Sequence, residues 1–313
     1  MIPLILRRVA ISLPLLVAVS FVTFLLLSLT PGNAAYTILG ARATPGQLAH
    51  LKSALGLNRP LLVQYGTWLG HAVRGNLGRS LVSGQPVSQA LAQQVAPTLS
   101  LVVLALLVGS TAGIALGIWS ALHSGRIAQF LNSASFVGMA VPGFVVALLL
   151  IQIFVVSLHV LPASGYVSIG QSPTLWFRSL VLPVIALSIG AIGIIAKQTR
   201  TAMQEVLSQE FIVVLRANGY SQRSIVLRHA LRAASIQVLS IIGVVFVGLL
   251  SGAVIIESIF SIPGLGSLAV QASAQADIPL VLGVTVSFTV LVVATNLLLD
   301  VVFMVANPKI AHP

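Results

Sequence analysis

The residues able to do chemistry are few, and their spacing excludes most of it. A phosphate-cradling loop ends in Gly-Lys-Ser/Thr. The chain has three lysines, Lys52, Lys197 and Lys309, and none follows a glycine. A carrier driven by protons or sodium places ionisable residues at mid-membrane, and no apolar run here carries a charge near its centre. His159 has no second His, Cys or carboxylate beside it, so it reads as no metal site. Cysteine is absent, which removes disulfides and thiolate chemistry. The expectation is no catalytic residue, no metal and no cofactor held by this chain.

What remains is charge on loops. Segment 197–235 carries six basic residues against two acids, Glu205 and Glu210. Gly219 lies between helix-like stretches at 210–218 and 221–234; Ser221 suits a cap, and a glycine allows a sharp turn. Such a pair is a rigid element able to fit a partner's cleft. A basic loop resting on anionic lipid has the same composition. In another loop, 257–279, Glu257 and Asp277 are the only acids. They could make a specific contact or be solvated charges.

These loops hang on an apolar scaffold. Hydrophobic residues make up 57% of the 313 and charged residues 7%, where a soluble domain has roughly 25% charged. Mean hydropathy is +1.06. An ordinary soluble enzyme and a disordered chain are both excluded, and the solvent is a bilayer. Apolar runs cover 9–29, 98–122, 130–158, 179–196, 236–256 and 280–305, each near the roughly 20 residues a span needs. The first is too long for a signal peptide's apolar region and lacks a cleavage pattern, so it reads as an uncleaved span. Gly109, Ala112, Gly113, Ala115 and Gly117 predict close helix approach. Pro142 and Gly143 predict a kink in the third run. Candidates for a wet pathway are Gln152, Ser188, Ser240, Ser251, Thr285 and Ser287, although hydroxyls in membranes more often bond neighbouring helices.

Residues 31–97 are more polar and rich in Gly and Pro. Thr44 with Pro45 and Gln47 predicts a capped helix to about residue 55. Further helices are predicted at 60–73 and 87–95. Basic residues then set sidedness. With the N-terminus inside, inner segments hold Arg7, Arg8, Arg126, Lys197, Arg200, Arg216, Arg223, Arg228, Arg232 and Lys309, while short outer loops hold only Arg178. Both termini are expected inside. The net charge of +11 thus concerns sidedness and membrane lipid, with no nucleic acid expected. The fold class expected is an all-α integral membrane protein of six transmembrane helices. Its parts are 1–30 (N-terminus and first span), 31–97 (outer helical subdomain), 98–305 (five-helix core with the 197–235 loop) and 306–313 (inner tail).

Glu210-Phe-Ile-Val-Val-Leu-Arg-Ala-Asn-Gly219, with Arg228-His229-Ala-Leu-Arg232, resembles the cytoplasmic EAA loop of ABC importer permeases. The similarity is greatest to the first permease subunit of the dipeptide/oligopeptide/nickel family. Leu55-Gly-Leu-Asn-Arg-Pro60 with Gln64, Tyr65 and Trp68 is similar to the family's outer segment, as are Gly75-Asn-Leu-Gly-Arg-Ser80, Pro86-Val87 and Pro97-Thr98-Leu99. Leu161-Pro-Ala-Ser-Gly165 resembles its second outer loop. Glu257-Ser-Ile-Phe-Ser-Ile-Pro-Gly-Leu-Gly266 and Asp277-Ile-Pro279 resemble its third.

The resemblance implies a type I importer permease in a prokaryotic cell membrane, serving as half of a peptide pathway. It implies four kinds of partner contact: a second permease, two ATP-binding subunits holding ATP and Mg, an outer substrate-binding protein, and lipid. It also implies coupling contacts at Glu210, Val213, Val214, Leu215, Arg216, Ala217, Asn218, Gly219, Arg223, Arg228 and His229. Outer contacts would fall at Glu257, Phe260, Pro263, Gly264, Gly266 and Asp277. Several positions depart from the family pattern. Val213-Val214-Leu215 replaces Glu-Ala-Ala, so docking would proceed by packing rather than charge. Ile236-Gln237 replaces Ile-Pro, and Asn33 and Asn76 replace acids. Nickel import, a lone channel and a membrane anchor are the alternatives.

Overall fold

The structure is a computed structural model describing residues 2–29, 39–40, 43–54, 56–123 and 125–306. Asn33 and the tail 307–313 lie outside the described residues. The helices are α1 (Ile2–Leu29), α2 (Pro45–Ala54), α3 (Leu61–Ala72), α4 (Val87–Leu122), α5 (Arg126–Ala140), α6 (Gly143–Ser157), α7 (Pro173–Leu207), α8 (Glu210–Ala217), α9 (Gln222–Ile259), α10 (Leu265–Ala274) and α11 (Ile278–Ala306). Among the described residues there is no strand, only an isolated bridge between Arg79 and Pro86.

Five helices, α1, α4, α7, α9 and α11, are long and apolar enough to cross a membrane, and α6 is a shorter apolar helix. The third expected span is therefore two pieces. Val141 is extended, with φ −78° and ψ 120°, as a residue before proline prefers. The expected kink is a full break between α5 and α6. The opposite happens at Pro97, where the predicted 87–95 helix and the second span form one 36-residue helix. Proline removes a single helical N–H there. Val87, Ala90 and Leu91 before it, and Leu101, Val102 and Ala105 after it, are all buried, and their packing outweighs the lost bond.

The chain forms two compact units. One contains the described residues up to Thr98 together with Pro263–Ala294; the other contains Leu99–Ile262 with the residues from Thr295 on. The described residues of 31–97 are thus grouped with α1 and 263–294.

In the first unit, Tyr65 ties α3 to α1. Its hydroxyl donates to the Val17 carbonyl at 3.0 Å and meets Ser20 Oγ at 2.9 Å. Its ring packs edge-on against Phe21, centroids 5.1 Å apart. Thr44 and Gln47 make the predicted reciprocal cap of α2: the Thr44 N–H donates to Gln47 Oε1 at 3.0 Å, and the Gln47 N–H donates to Thr44 Oγ1 at 3.4 Å.

In the second unit, α7 is the central helix, packed by α5, α6 and α9. Gly109, Gly113 and Gly117 of α4 meet Ala191, Ile195 and Thr199 of α7. A Cβ on Gly113 would lie 2.8 Å from that of Ile195, so only glycine permits this approach.

Candidate functional site

The α7–α8–α9 segment is built from the inside outward. Ile212 of α8 is fully buried, in a cluster with Met203, Val206, Ile225, Val226 and Ala230; Leu215 packs partly against it. Burial of one face leaves the other pointing out. Val213 and Val214 are 61% and 57% exposed. Phe211, Tyr220 and Leu227 are also exposed. Arg216, Ala217, Asn218, Gly219, Arg223 and Arg228 are exposed, and His229 is half-buried, edge-on to Tyr220 at 5.6 Å.

The turn after α8 follows from its residues. The Gly219 N–H donates to the Arg216 carbonyl at 3.0 Å and the Tyr220 N–H to the Leu215 carbonyl at 3.2 Å. This pair of bonds requires a left-handed residue between them, and Gly219 has φ 79°. Ser221 caps α9 by accepting from the Ser224 N–H at 3.3 Å. Glu210 in the first turn of α8 and Arg216 in its last both complement the helix dipole. Residues Ile225–Ala230 of α9 are π-helical. Gln237 Nε2 donates to Glu205 Oε2 at 3.3 Å, a further tie between α9 and α7.

The second predicted set is placed differently. Glu257, Phe260, Gly264, Gly266 and Asp277 are buried, and only Pro263 is exposed. Asp277 sits in the first unit as the N-cap of α11. Its carboxylate accepts from Ser80 Oγ, the Leu81 N–H at 3.1 Å and the Leu280 N–H at 3.4 Å. It therefore organises the 78–87 turn, and it is not a solvated loop charge. Just before that turn the Gly78 N–H donates to Asn76 Oδ1 at 3.0 Å, so the side-chain amide supplies the acceptor. Glu257 is equally interior, in the second unit.

A cleft of ≈ 580 Å³ opens at the α5–α6 break, lined by Val141, Pro142, Phe144, Gly190, Gly248 and Gly252 among others. Four of the candidate pathway hydroxyls bond within their own helices. Ser188, Ser240, Ser251 and Ser287 each donate to a carbonyl three or four residues back in their own helix, at 3.1, 2.8, 3.3 and 2.9 Å. Sequence reasoning missed Phe211, Tyr220 and Leu227 as surface residues. Apolar residues in a membrane chain carry no local sign of whether they meet water, lipid or protein.

Residues 113–312 match the family described as "Binding-protein-dependent transport system inner membrane component", and residues 1–102 match its N-terminal family. A Brucella abortus (strain 2308) protein, provisionally named as a peptide transport system permease, is 39% identical over 99% of both chains. The oligopeptide transport system permease protein AppB of Bacillus subtilis (strain 168) is 31% identical over 98% of this chain and 99% of its own. In fold, the chain is similar to the inward-facing MetNI methionine ABC transporter, with TM-score 0.57 and 17% identity over 70% of this chain and 97% of that one. The chain belongs to the binding-protein-dependent transport system inner membrane components, the permease subunits of ABC importers.

Proposed function

We propose that this chain is half of the translocation pathway of an ATP-driven importer of di- and oligopeptides. A second permease supplies the other half. The chain is non-catalytic; two partner subunits bind ATP and Mg, and an outer binding protein delivers the substrate. The peptide cargo rests on the names of its full-length relatives. The basic-residue bias supports both termini on the inner side of the membrane; on this reading the membrane is that of a prokaryotic cell and 31–97 lies outside.

The observation that carries the coupling role is the two-faced α8. Ile212 and Leu215 join α8 to α7 and α9 by close packing, while Phe211, Val213 and Val214 are offered outward. A packed hairpin moves as one body, so a push on α8 reaches the membrane helices without being absorbed. Contacts at Arg216, Arg223 and Arg228 would rim an apolar centre. The apolar cleft at the α5–α6 break is the stretch of pathway this chain would contribute, since broken helices in membranes are tolerated where backbone lines a cavity.

The chain has no native cysteine, so a Val214→Cys variant carries one unique thiol. In membranes containing the whole transporter, a thiol-to-amine crosslinker is expected to join it to a Walker-motif subunit. Val214→Glu is expected to lower peptide-stimulated ATP hydrolysis at least tenfold. A crosslink only to lipid, or peptide flux without ATP, would overturn the reading in favour of a lone channel.

A further inference from the structure

Arg178 is the only basic residue of the short loops expected outside. The structure places it in a cleft of ≈ 430 Å³ formed by the turn after α6 and the start of α7. That volume lies within the roughly 300–1,000 Å³ of small-molecule sites. The side chain is solvent-exposed, and its Nη2 donates to the Val160 carbonyl at 2.8 Å. One of the five N–H donors of an arginine is committed by this bond, and the planar fork keeps others to offer. No acid occurs anywhere in 159–179, and Arg178 makes no ion pair among the described residues.

The neighbouring groups are already held. The Ser179 hydroxyl donates to the Trp176 carbonyl at 2.8 Å, and Tyr166 Oη meets Ser100 Oγ at 3.4 Å. The Gly165 N–H donates to the Phe260 carbonyl at 2.9 Å, which pins the loop across the cleft. His159, also lining it, holds φ 55°, a conformation that costs a non-glycine residue and concentrates at binding sites. The remaining lining is Val160, Leu161, Pro162, Val167 and Leu175, with Ser164 as one further polar side chain.

An accessible guanidinium without an ion pair among the described residues, beside a mostly apolar lining, suits an anion attached to an apolar group. Arginine matches a carboxylate through two parallel hydrogen bonds. We propose that this cleft binds the terminal carboxylate of a peptide whose last residue is apolar. The assignment rests on the peptide-importer reading above, which brings the substrate from the outer side. A lipid phosphate shares the anionic chemistry; retained phosphatidylglycerol distinguishes that source from bound peptide.

The test uses the full chain, with the partners it retains, in phosphatidylcholine nanodiscs. Trileucine and trileucine amide are titrated by equilibrium dialysis. The acid should bind about tenfold more tightly, the roughly 1.4 kcal/mol of one charge-assisted contact. Arg178→Gln should bring acid and amide to parity, and Arg178→Lys should keep part of the preference; both variants are checked for monodispersity. Equal affinities in the parent chain, or a preference that survives Arg178→Gln, would overturn the proposal. So would phosphatidylglycerol retained by the parent, lost from Arg178→Gln, with no trileucine bound. If ATP-driven trileucine uptake persists while the preference is absent, only this inference fails. If no peptide is taken up at all, the importer reading fails with it.

Discussion

Segment 208–221 and turn 78–87 were both singled out by motif, yet they solve opposite problems. In the first, the apolar residue Ile212 is buried and the charged residues Glu210 and Arg216 face out. The second is held by a buried carboxylate: Asp277 is fully enclosed, with Ser80 and the Leu81 and Leu280 N–H groups bonded to it. On the coupling role proposed for it, the first region keeps its charges solvated and its packing behind it. A turn that must hold its own shape places the carboxylate at its centre, because a buried charge persists only when its hydrogen-bonding capacity is met.

Changes at Asp277, Ile212, Gly219 and the Val213–Val214 pair would break or sharpen that contrast. Asp277→Ala should have the largest effect, since it strands several buried donors. A loss of about 3–5 kcal/mol is expected, read as a lower unfolding temperature and new protease cleavage near 80–86. Asp277→Asn keeps an acceptor and should lose roughly half as much. If Asp277→Ala left stability untouched while abolishing binding-protein docking, the carboxylate would be a contact after all.

Ile212→Ala follows, at about 2–5 kcal/mol for a truncated buried side chain. Its loss should appear first as exchange of backbone amides in 203–226, because the cluster is local to the hairpin. Gly219→Ala ranks third. Its surroundings are open, with nothing within 4 Å of an added Cβ, so only backbone strain counts, about 1–2 kcal/mol. The double change Val213→Ala with Val214→Ala should be smallest in stability, within about 0.5 kcal/mol. Its signature is functional: weaker capture of the ATP-binding subunit at unchanged unfolding temperature. A stability loss matching that of Ile212→Ala would mean that these valines are buried in the assembled chain.

Much of the site's local chemistry was legible. Thr44 and Gln47 announce a cap, Ser221 another, and Gly219 a left-handed turn. Each signal is carried by residues within a few positions of one another, where backbone geometry decides. The helix lengths were less legible. Pro97 looked like a boundary and was none, because buried residues on both sides hold the helix through it. Pro142 looked like a kink and was a break, because the residue before it adopted the extended conformation that proline favours.

By itself, then, the sequence determined that this is a helical membrane chain of the importer-permease family, with one basic hairpin and several capped turns. Composition forces the bilayer, and periodic small residues such as Gly109, Gly113 and Gly117 mark where helices meet. Only the tertiary structure decided which acids are internal, which face of α8 is offered outward and which arginine stands unpaired in a cleft. Those outcomes depend on partners far along the chain: Ser80 lies 197 residues from Asp277. No local pattern encodes a contact at that distance, since burial is a property of what packs against a residue rather than of the residue itself.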